Sequence, residues 1–436
     1  MTDKILINAR WVVPVEPAGV ALECHAVAVR DGRIEAVLPM AEAAGRYADY
    51  LRVDLPGHAL IPGLVNAHTH AAMALMRGVA DDLPLMRWLQ EHVWPIEAKH
   101  ASAQFVKDGT LLACAEMLRG GVTCMNDMYF FPEAALEAAL AAGMRAALGL
   151  IVIEFPSAYA ADPEQYLAKG LALRDEWREH PLASFCLAPH SPYTVSDATF
   201  RKVAQLAAEL ELPVHIHVHE TLDEIERSIS EHGARPLQRL ERLGLLGPNL
   251  IAVHAVHLEP AEIALLARHG SSVVHCPSSN LKLASGFAPV AALLAAGVNV
   301  ALGTDGAASN NRLDLFQEMR SAALLAKAVA RDAAAMPAHA ALHAATLGGA
   351  TALGLEGRIG SIVPGKAADL AAVAFDSIEL QPAFDVVSHL VYACGREHVT
   401  DVWVGGERVL QDGMLTRLEL SDLQGRAHLW QTKILN

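Results

Sequence analysis

The stretch Ile61-Pro62-Gly63-Leu64-Val65-Asn66-Ala67-His68-Thr69-His70 is a short apolar run that follows a Pro-Gly turn signal and ends in two histidines. Its length and its leucine and valine content predict a buried strand. Comparable runs recur through the middle of the chain, separated by amphipathic stretches of helical length. Eight such strands alternating with helices predict an α/β fold, a (β/α)8 TIM-like barrel. The predicted strands end near His70, Asp127, Ile153, His190, Glu220, His257, Ser278 and Asp305.

Both ends of the chain are also rich in valine, isoleucine and leucine. Turn signals such as Asp31-Gly32 and Gly405-Gly406 divide these segments into short strands. We therefore expect a barrel over residues 59–363 and a small, discontinuous β-sandwich domain built from both termini, residues 1–58 and 364–436. The terminal strands are predicted at residues 5–15, 26–39, 51–60, 368–375 and 399–410.

The composition is that of a folded, acidic protein. Its 436 residues are 53% hydrophobic and 19% charged, which allows a large core. The net charge of −15 disfavours binding to nucleic acid or to a membrane surface, because both are anionic. The six cysteines include no CxxC pair, so neither a redox motif nor a structural zinc site is indicated. We expect a cytoplasmic protein that binds a small molecule. The sequence leaves open whether the protein forms a homo-oligomer.

Polar side chains stand at the ends of five of the predicted barrel strands. In a (β/α)8 barrel the C-terminal ends of all strands meet at one rim, where catalytic groups converge. We therefore expect these side chains to lie close together in space. They are His68, His70, His190, His217, Glu220, His254 and Asp305.

A metal site is predicted within this set. His68 and His70 are two residues apart, so on a strand both imidazoles point to the same side. With His217 and Asp305 they form a donor set suited to one divalent cation, zinc first and iron or another transition metal as alternatives. A coordination position left open for water is typical of a catalytic site rather than a structural one.

Each of these residues has a plainer interpretation when it is taken alone. Asp305 could cap a helix, Glu220 could begin one, and His254 could be a satisfied core histidine. Their joint occurrence at strand ends favours the functional interpretation. Supporting or packing roles are expected for three further histidines, His215, His219 and His275.

Four motifs follow one another in a recognisable order: PGLVNAHTH at 62–70, HVHE at 217–220, VHAVHL at 253–258 and GTDGAASN at 303–310. They resemble the amidohydrolase superfamily, within its aminohydrolase branch of deaminases and triazine hydrolases, and most of all the 5′-methylthioadenosine/S-adenosylhomocysteine deaminases. The resemblance covers nearly the whole chain and includes GRIGSIVPGKAADL at 357–370, which looks like that family's return from barrel to sandwich. It implies hydrolytic deamination of a 6-aminopurine nucleoside to its inosine analogue and ammonia by a metal-activated hydroxide.

The resemblance also implies a role for each residue of the rim. Glu220 is the general acid that protonates the purine ring, and Asp305 takes the proton of water and passes one to the departing amine. His254 orients the attacking oxygen. Binuclear relatives bridge two ions with a carboxylated lysine after strand four, where this chain has Pro189-His190 instead, so a single metal ion is implied.

Substrate contacts are likewise implied by the resemblance. Trp88 packs against the nucleoside, Glu97 accepts hydrogen bonds from the ribose hydroxyls, and His190, Ser309 and Glu220 complete the contacts. Some relatives place arginines after strand three that could bind the carboxylate of a homocysteine tail. This chain has LGLIVIEFP at 148–156 there, which favours the methylthio compound.

Several alternatives remain at this point. Adenosine, guanine or cytosine deamination and triazine dechlorination use the same machinery, although Glu220 disfavours a dechlorinase because expelling halide needs less help from an acid. A non-catalytic scaffold with an inherited barrel should have lost ligands, whereas this chain has all four. A metal-storage protein would need neither an open position nor an adjacent acid.

Overall fold

The structure, a computed structural model, describes residues 4–436. Residues 1–3, which belong to the predicted terminal domain, lie outside the described residues. The strands are β1 Lys4–Val12, β2 Leu22–Arg30, β3 Arg33–Pro39, β4 Leu51–Pro62, β5 Leu64–Thr69, β6 Val122–Met128, β7 Arg145–Val152, β8 Ala183–Pro189, β9 Val214–Val218, β10 Leu250–His254, β11 Ser272–His275, β12 Asn299–Leu302, β13 Leu370–Ala374, β14 Val399–Val404, β15 Glu407–Gln411 and β16 Met414–Leu415.

The helices connect these strands, and most lie between consecutive strands of the barrel. Short 3-10 helices cover Ala71–Met76, Ile378–Leu380 and Arg396–His398, and a π-helical turn covers Leu89–Val93. The α-helices are α1 Met40–Arg46, α2 Leu85–Trp88, α3 Trp94–His100, α4 Ala103–Arg119, α5 Pro132–Ala142, α6 Pro163–Trp177, α7 Asp197–Leu210, α8 Leu222–His232, α9 Pro236–Arg242, α10 Pro260–His269, α11 Pro277–Lys282, α12 Val290–Ala295, α13 Ala307–Asn310, α14 Leu315–Ala330, α15 Ala338–Ala344, α16 Leu347–Ala352, α17 Val386–Tyr392 and α18 Leu420–Leu435.

Strands β5 to β12 form a parallel sheet in chain order, which confirms the predicted (β/α)8 barrel. Every residue of β5, β6 and β7 is buried, as expected of strands covered on both faces. The barrel closes where the chain after β12 meets β5, and there the Asp305 backbone N–H donates to the His68 carbonyl oxygen at 3.0 Å. Gly303 makes this approach possible, because a Cβ there would lie 2.8 Å from the Cβ of His68.

The second sheet is assembled from both ends of the chain, in the order β16-β15-β14-β13-β4-β1-β2-β3. Its two halves join where β13 runs antiparallel to β4, which continues directly into the barrel strand β5. A buried ion pair fastens this sheet to the barrel: the Arg145 guanidinium donates to both carboxylate oxygens of Asp369, at 2.9 and 3.1 Å. Among residues 4–436 no helix is both long and apolar enough to cross a membrane.

The last three barrel strands end earlier than the sequence pattern predicts. The sixth, seventh and eighth strands end at His254, His275 and Leu302, three residues before the predicted ends in each case. The difference has a local cause. The chain leaves the hydrogen-bonded pairing of the barrel sheet before it reaches the predicted ends of these strands. The backbone turns at His254 and Ala255, whose φ angles are 70° and 47°.

Candidate metal centre and substrate cavity

Four donor side chains meet at the C-terminal rim of the barrel. His68 and His70 come from the end of β5, His217 from β9, and Asp305 follows β12 by three residues. Asp305 Oδ1 lies 3.3 Å from His68 Nε2 and 3.4 Å from His70 Nε2. The ring of His217 is centred 4.9 Å from that of His68 and 5.3 Å from that of His70. The structure therefore brings the four predicted metal ligands together.

The imidazoles are oriented by hydrogen bonds on their outer nitrogens. His70 Nδ1 donates to a backbone oxygen of β6 at 2.5 Å, and His217 Nδ1 donates to the backbone oxygen of His190 at 2.7 Å. A carbonyl only accepts, so the ring proton is on Nδ1 and Nε2 keeps its lone pair. His68 Nδ1 lies 2.9 Å from His215 Nε2. Support of this kind on the distal nitrogen is typical of histidines that bind a metal.

The donor set fits a divalent cation. His68 Nε2 is buried and has no hydrogen-bond partner among the described residues, as expected of an atom whose partner is a metal. Burial lowers the pKa of His68 to about 4 and that of His217 well below its usual value, so both are neutral donors at neutral pH. Ligand atoms of His68, His70 and Asp305 lie within 4.8 Å of one another, and so do those of His68, His217 and His254. Imidazole nitrogen and carboxylate oxygen are ligands that zinc commonly takes.

Asp305 is fixed through both carboxylate oxygens. Oδ2 accepts from Ser279 Oγ at 2.7 Å and from Ser309 Oγ at 2.9 Å, and Oδ1 accepts from the backbone of Gly306 at 2.7 Å. Its φ of 60° is left-handed, a strained conformation for a residue with a side chain and one that clusters at functional sites. Three donors to its two oxygens favour the ionised carboxylate over the protonated acid.

His254 stands beside the four donors and faces Glu220. Its Nδ1 lies 2.9 Å from Asn280 Oδ1, and its Nε2 lies 3.9 Å from Glu220 Oε1. Its ring stacks on that of His217 with centres 5.5 Å apart. Like Asp305, it has a left-handed backbone, with φ 70°. The imidazole is therefore held between the donor cluster and a carboxyl group that is not part of it.

Glu220 is buried, and a second carboxylate fixes its backbone. Glu224 accepts from the backbone N–H groups of His219 and Glu220, both at 2.9 Å. Burial raises the pKa of Glu220, so that its carboxyl group keeps a proton to higher pH than an exposed one. A protonated carboxyl group close to the donors but not among them is suited to give a proton to a bound molecule.

A cavity of about 460 Å³ opens outward from this centre. Its volume lies within the range of small-molecule sites, roughly 300–1,000 Å³. The inner end is polar and the rest is largely apolar. The inner end is lined by His70, His217, Glu220, His254 and Asp305.

The residues predicted to contact substrate all line this cavity, namely Trp88, Glu97, His190 and Ser309, together with Glu220. Trp88 is buried in the wall. Glu97 accepts a hydrogen bond from Tyr129 Oη at 2.7 Å, and loss of solvent raises its pKa to about 7. The cavity therefore brings the donor cluster and an aromatic wall to one enclosed space.

Sequence reasoning assigned no role to Ser279, Asn280 or Tyr129. The first two follow β11 and the third follows β6, so the rule that rim residues are functional could have found them. The histidines that were expected to have supporting or packing roles differ in their contacts. His215 contacts His68, whereas His219 turns away from the centre and places its Nε2 3.2 Å from Glu262 Oε1.

Comparison with known proteins gives a consistent picture. The sequence pattern of the family described as the amidohydrolase family matches residues 59–409. A 5-methylthioadenosine/S-adenosylhomocysteine deaminase from Teredinibacter turnerae is 50% identical over 98% of this chain and 97% of its own. Among solved structures, a zinc-bound adenosine deaminase from Xanthomonas campestris is 54% identical, with a TM-score of 0.98 over 99% of this chain and 98% of that one. A zinc-bound atrazine chlorohydrolase from Arthrobacter aurescens, 23% identical over 98% of this chain and 99% of that one with a TM-score of 0.91, shares the fold.

Proposed function

Because the chain belongs to the amidohydrolase family, we propose that it is a hydrolytic deaminase that removes the 6-amino group of a purine nucleoside and releases ammonia. The proposed substrates are 5′-methylthioadenosine, S-adenosylhomocysteine and adenosine, the compounds named for its relatives. One observation carries the proposal. A buried Glu220, whose carboxyl pKa is raised by burial, stands beside a three-histidine, one-aspartate cluster at the inner end of a cavity.

The residues that would hold the metal are His68, His70, His217 and Asp305. A bound divalent cation supplies Lewis acidity, which lowers the pKa of a water molecule toward about 7. We propose one such ion, with zinc as its identity, because zinc is bound in two structural relatives and no lysine lines the cavity among the described residues.

We assign the proton transfers to two carboxyl groups, one with a raised pKa and one that is ionised. Glu220, whose pKa is raised, donates its proton to the ring nitrogen next to the amino-bearing carbon as water adds to that carbon. Asp305, an ionised carboxylate, accepts one proton from the water and delivers it to the leaving amine. The second proton of the water returns to Glu220 as the carbonyl group forms. His254 orients the added oxygen. A carboxyl group with a raised pKa thus serves as the acid, and an ionised carboxylate serves as the base.

The outer residues are proposed to position the nucleoside. Glu97 accepts hydrogen bonds from the ribose hydroxyls, and Tyr129 fixes its carboxylate. Trp88 packs against the nucleoside, and His190 and Ser309 contact it from the fourth strand and the loop after Asp305.

We also propose the division of the chain into a barrel, residues 59–363, and a terminal domain, residues 1–58 and 364–436. A cytoplasmic location is proposed because all six cysteines are free thiols, which is typical of a reducing compartment.

Ammonia release from the purified protein tests the function. Incubation with adenosine, 5′-methylthioadenosine, S-adenosylhomocysteine, guanine and cytosine should release ammonia from one or more of the three nucleosides and leave the free bases unchanged. Glu220→Gln should lower kcat by about 10²–10⁴-fold while the protein keeps its metal. Wild-type turnover in that variant, or release from the free bases alone, would contradict the proposal.

A further inference from the structure

Helix α11 supports two of the side chains to which the proposed chemistry assigns a role. Its residue Ser279 donates to Asp305 Oδ2 at 2.7 Å. The next residue, Asn280, places its Oδ1 2.9 Å from Nδ1 of His254. Asn280 is not among the described residues that line the cavity of about 460 Å³. Any effect of Asn280 on a molecule bound there therefore passes through His254.

The hydrogen bond from His254 to Asn280 decides which ring nitrogen carries a proton. The oxygen of a side-chain amide only accepts, so Nδ1 of His254 is the donor and holds a proton. In the neutral ring the lone pair is then on Nε2, the nitrogen that lies 3.9 Å from Glu220 Oε1. If the amide were turned, its nitrogen would donate to Nδ1 and the proton would be on Nε2 instead. The orientation of one amide thus determines whether His254 accepts or donates toward the inner end of the cavity.

A small cavity borders Asn280. Its volume is about 10 Å³, and the side chains in its lining that carry hydrogen-bonding groups are Asn280 and His275. Both side chains are buried, and neither Asn280 Nδ2 nor His275 Nδ1 has a hydrogen-bond partner among the described residues. The rest of the lining is apolar and includes Pro277, Phe287 and Val290. A cavity needs roughly 10–15 Å³ to hold one water molecule, so this one fits a single water and nothing larger.

One water molecule in the small cavity gives both buried atoms a partner. Asn280 Nδ2 only donates, so the water oxygen accepts from it. Burial lowers the pKa of His275 to about 3, so its ring is neutral, and Nδ1 accepts from or donates to the same water according to the tautomer. A buried donor that is left without a partner is costly, whereas a bridging water removes this cost.

We propose that Asn280 is a positioning residue that acts through His254, and that one water molecule bound in the small cavity holds its amide in place. The inference rests on the proposed function, in which His254 orients the added oxygen. Asn280 keeps the Nε2 lone pair of His254 directed toward that oxygen. His254 then accepts a hydrogen bond from the proton that stays on the added oxygen until the carbonyl group forms.

A double-mutant cycle tests whether Asn280 acts through His254. Asn280→Leu is similar in size but has no acceptor, and it should lower kcat about 10–100-fold because the Nδ1 proton is left unpaired. KM and the zinc content of the protein should stay unchanged. In a His254→Phe background the same substitution should lower kcat by no more than about twofold. A loss as large as in the wild-type background would show that Asn280 acts elsewhere and would overturn the inference.

Leu281→Asn is the matched control for this cycle. It changes the next residue of α11, whose side chain is 45% exposed, and it should leave kcat, KM and zinc content as in the wild type. If Asn280→Leu loses zinc or raises KM along with its loss of kcat, Asn280 supports the fold of the site as a whole. That result would also overturn the inference.

Neutron diffraction from crystals of the wild-type protein tests the same inference without any variant. We expect deuterium on His254 Nδ1 and not on Nε2, and one water molecule about 2.7–3.2 Å from both Asn280 Nδ2 and His275 Nδ1. An amide with Nδ2 toward His254, or a small cavity without this water, would overturn the inference. The outcome is independent of turnover. If the wild-type protein releases no ammonia from any nucleoside, the proposed function is wrong, and the neutron structure still decides where the proton and the water lie.

Discussion

At the scale of single residues, the candidate site depends on histidines whose distal ring nitrogens are fixed by hydrogen bonds. His70 and His217 are fixed by backbone carbonyls, whereas His68 depends on another side chain, His215. Strand alternation places His68 and His70 on one side, and His217 was chosen from its histidine run because Glu220 follows it by three residues. It could not choose between packing and support for His215, because that choice depends on a 2.9 Å contact between residues 147 positions apart.

His215 is expected to strengthen metal binding through His68. His215→Phe keeps an aromatic ring but removes the acceptor for His68 Nδ1, and the affinity for zinc should fall about 10–100-fold. The Kd is measured by competition with a chelator on folded protein. His215→Gln, whose amide oxygen can accept the same hydrogen bond, should recover most of the affinity. Unchanged affinity in the phenylalanine variant would show that the contact is only packing.

Glu97 is expected to make the use of nucleoside depend on pH. Its pKa is raised to about 7 by loss of solvent, so the carboxylate that we propose accepts from ribose is lost as the pH falls through 7. For adenosine, kcat/KM should therefore fall about tenfold between pH 8 and pH 6, as titration of one group requires. Glu97→Gln should be weaker at all pH values and should lack this acidic limb. An identical limb in the variant would assign it to another group.

At the scale of elements, the barrel was predictable because its strands are buried on both faces and differ sharply from the amphipathic helices. The ends of the strands were harder to predict, because the last residue that pairs in the sheet depends on backbone turns such as those at His254 and Asp305. The apolar cavity walls were not predictable from the pattern. Leu89, Val93 and Trp94 are apolar like core residues, and only the fold shows that they line the cavity.

The contact between the first and last barrel strands requires a glycine. In Gly303→Ala the new Cβ would lie 2.8 Å from the Cβ and 2.9 Å from the carbonyl oxygen of His68, so the strands must separate. We expect a loss of about 1–3 kcal/mol in the free energy of unfolding and a lower zinc content. Gly357→Ala is the control, since an added Cβ there meets nothing within 4 Å. Equal stability of the two variants in urea would contradict this description of the closure.

At the scale of the whole molecule, the terminal sheet and the barrel are connected in two ways, by the chain between consecutive strands and by a buried ion pair. Strand β4 continues into β5, and the Arg145–Asp369 pair is almost fully shielded, with exposed side-chain fractions of 5% and 1%. The sequence predicted both halves of the terminal sheet from their strand patterns. It did not show the ion pair, because its partners are 224 residues apart and neither lies in a motif of the rim.

Loss of one partner of this pair should weaken the whole molecule. Asp369→Asn leaves the Arg145 guanidinium buried without a counter-charge and should lower the free energy of unfolding by about 3–5 kcal/mol. The measurement is urea unfolding followed by circular dichroism. Glu231→Gln breaks an exposed pair with Arg227 and should change stability by less than about 1 kcal/mol. Similar losses in both variants would show that the buried pair has no special role.

The proposed chemistry depends most on one metal ion held by four side chains. Anomalous diffraction at the zinc edge, from crystals of protein purified with zinc, tests this directly. We expect a single peak about 2.0–2.2 Å from His68 Nε2, His70 Nε2, His217 Nε2 and a carboxylate oxygen of Asp305. A pair of peaks, or one peak bound elsewhere with these four atoms left free, would contradict it.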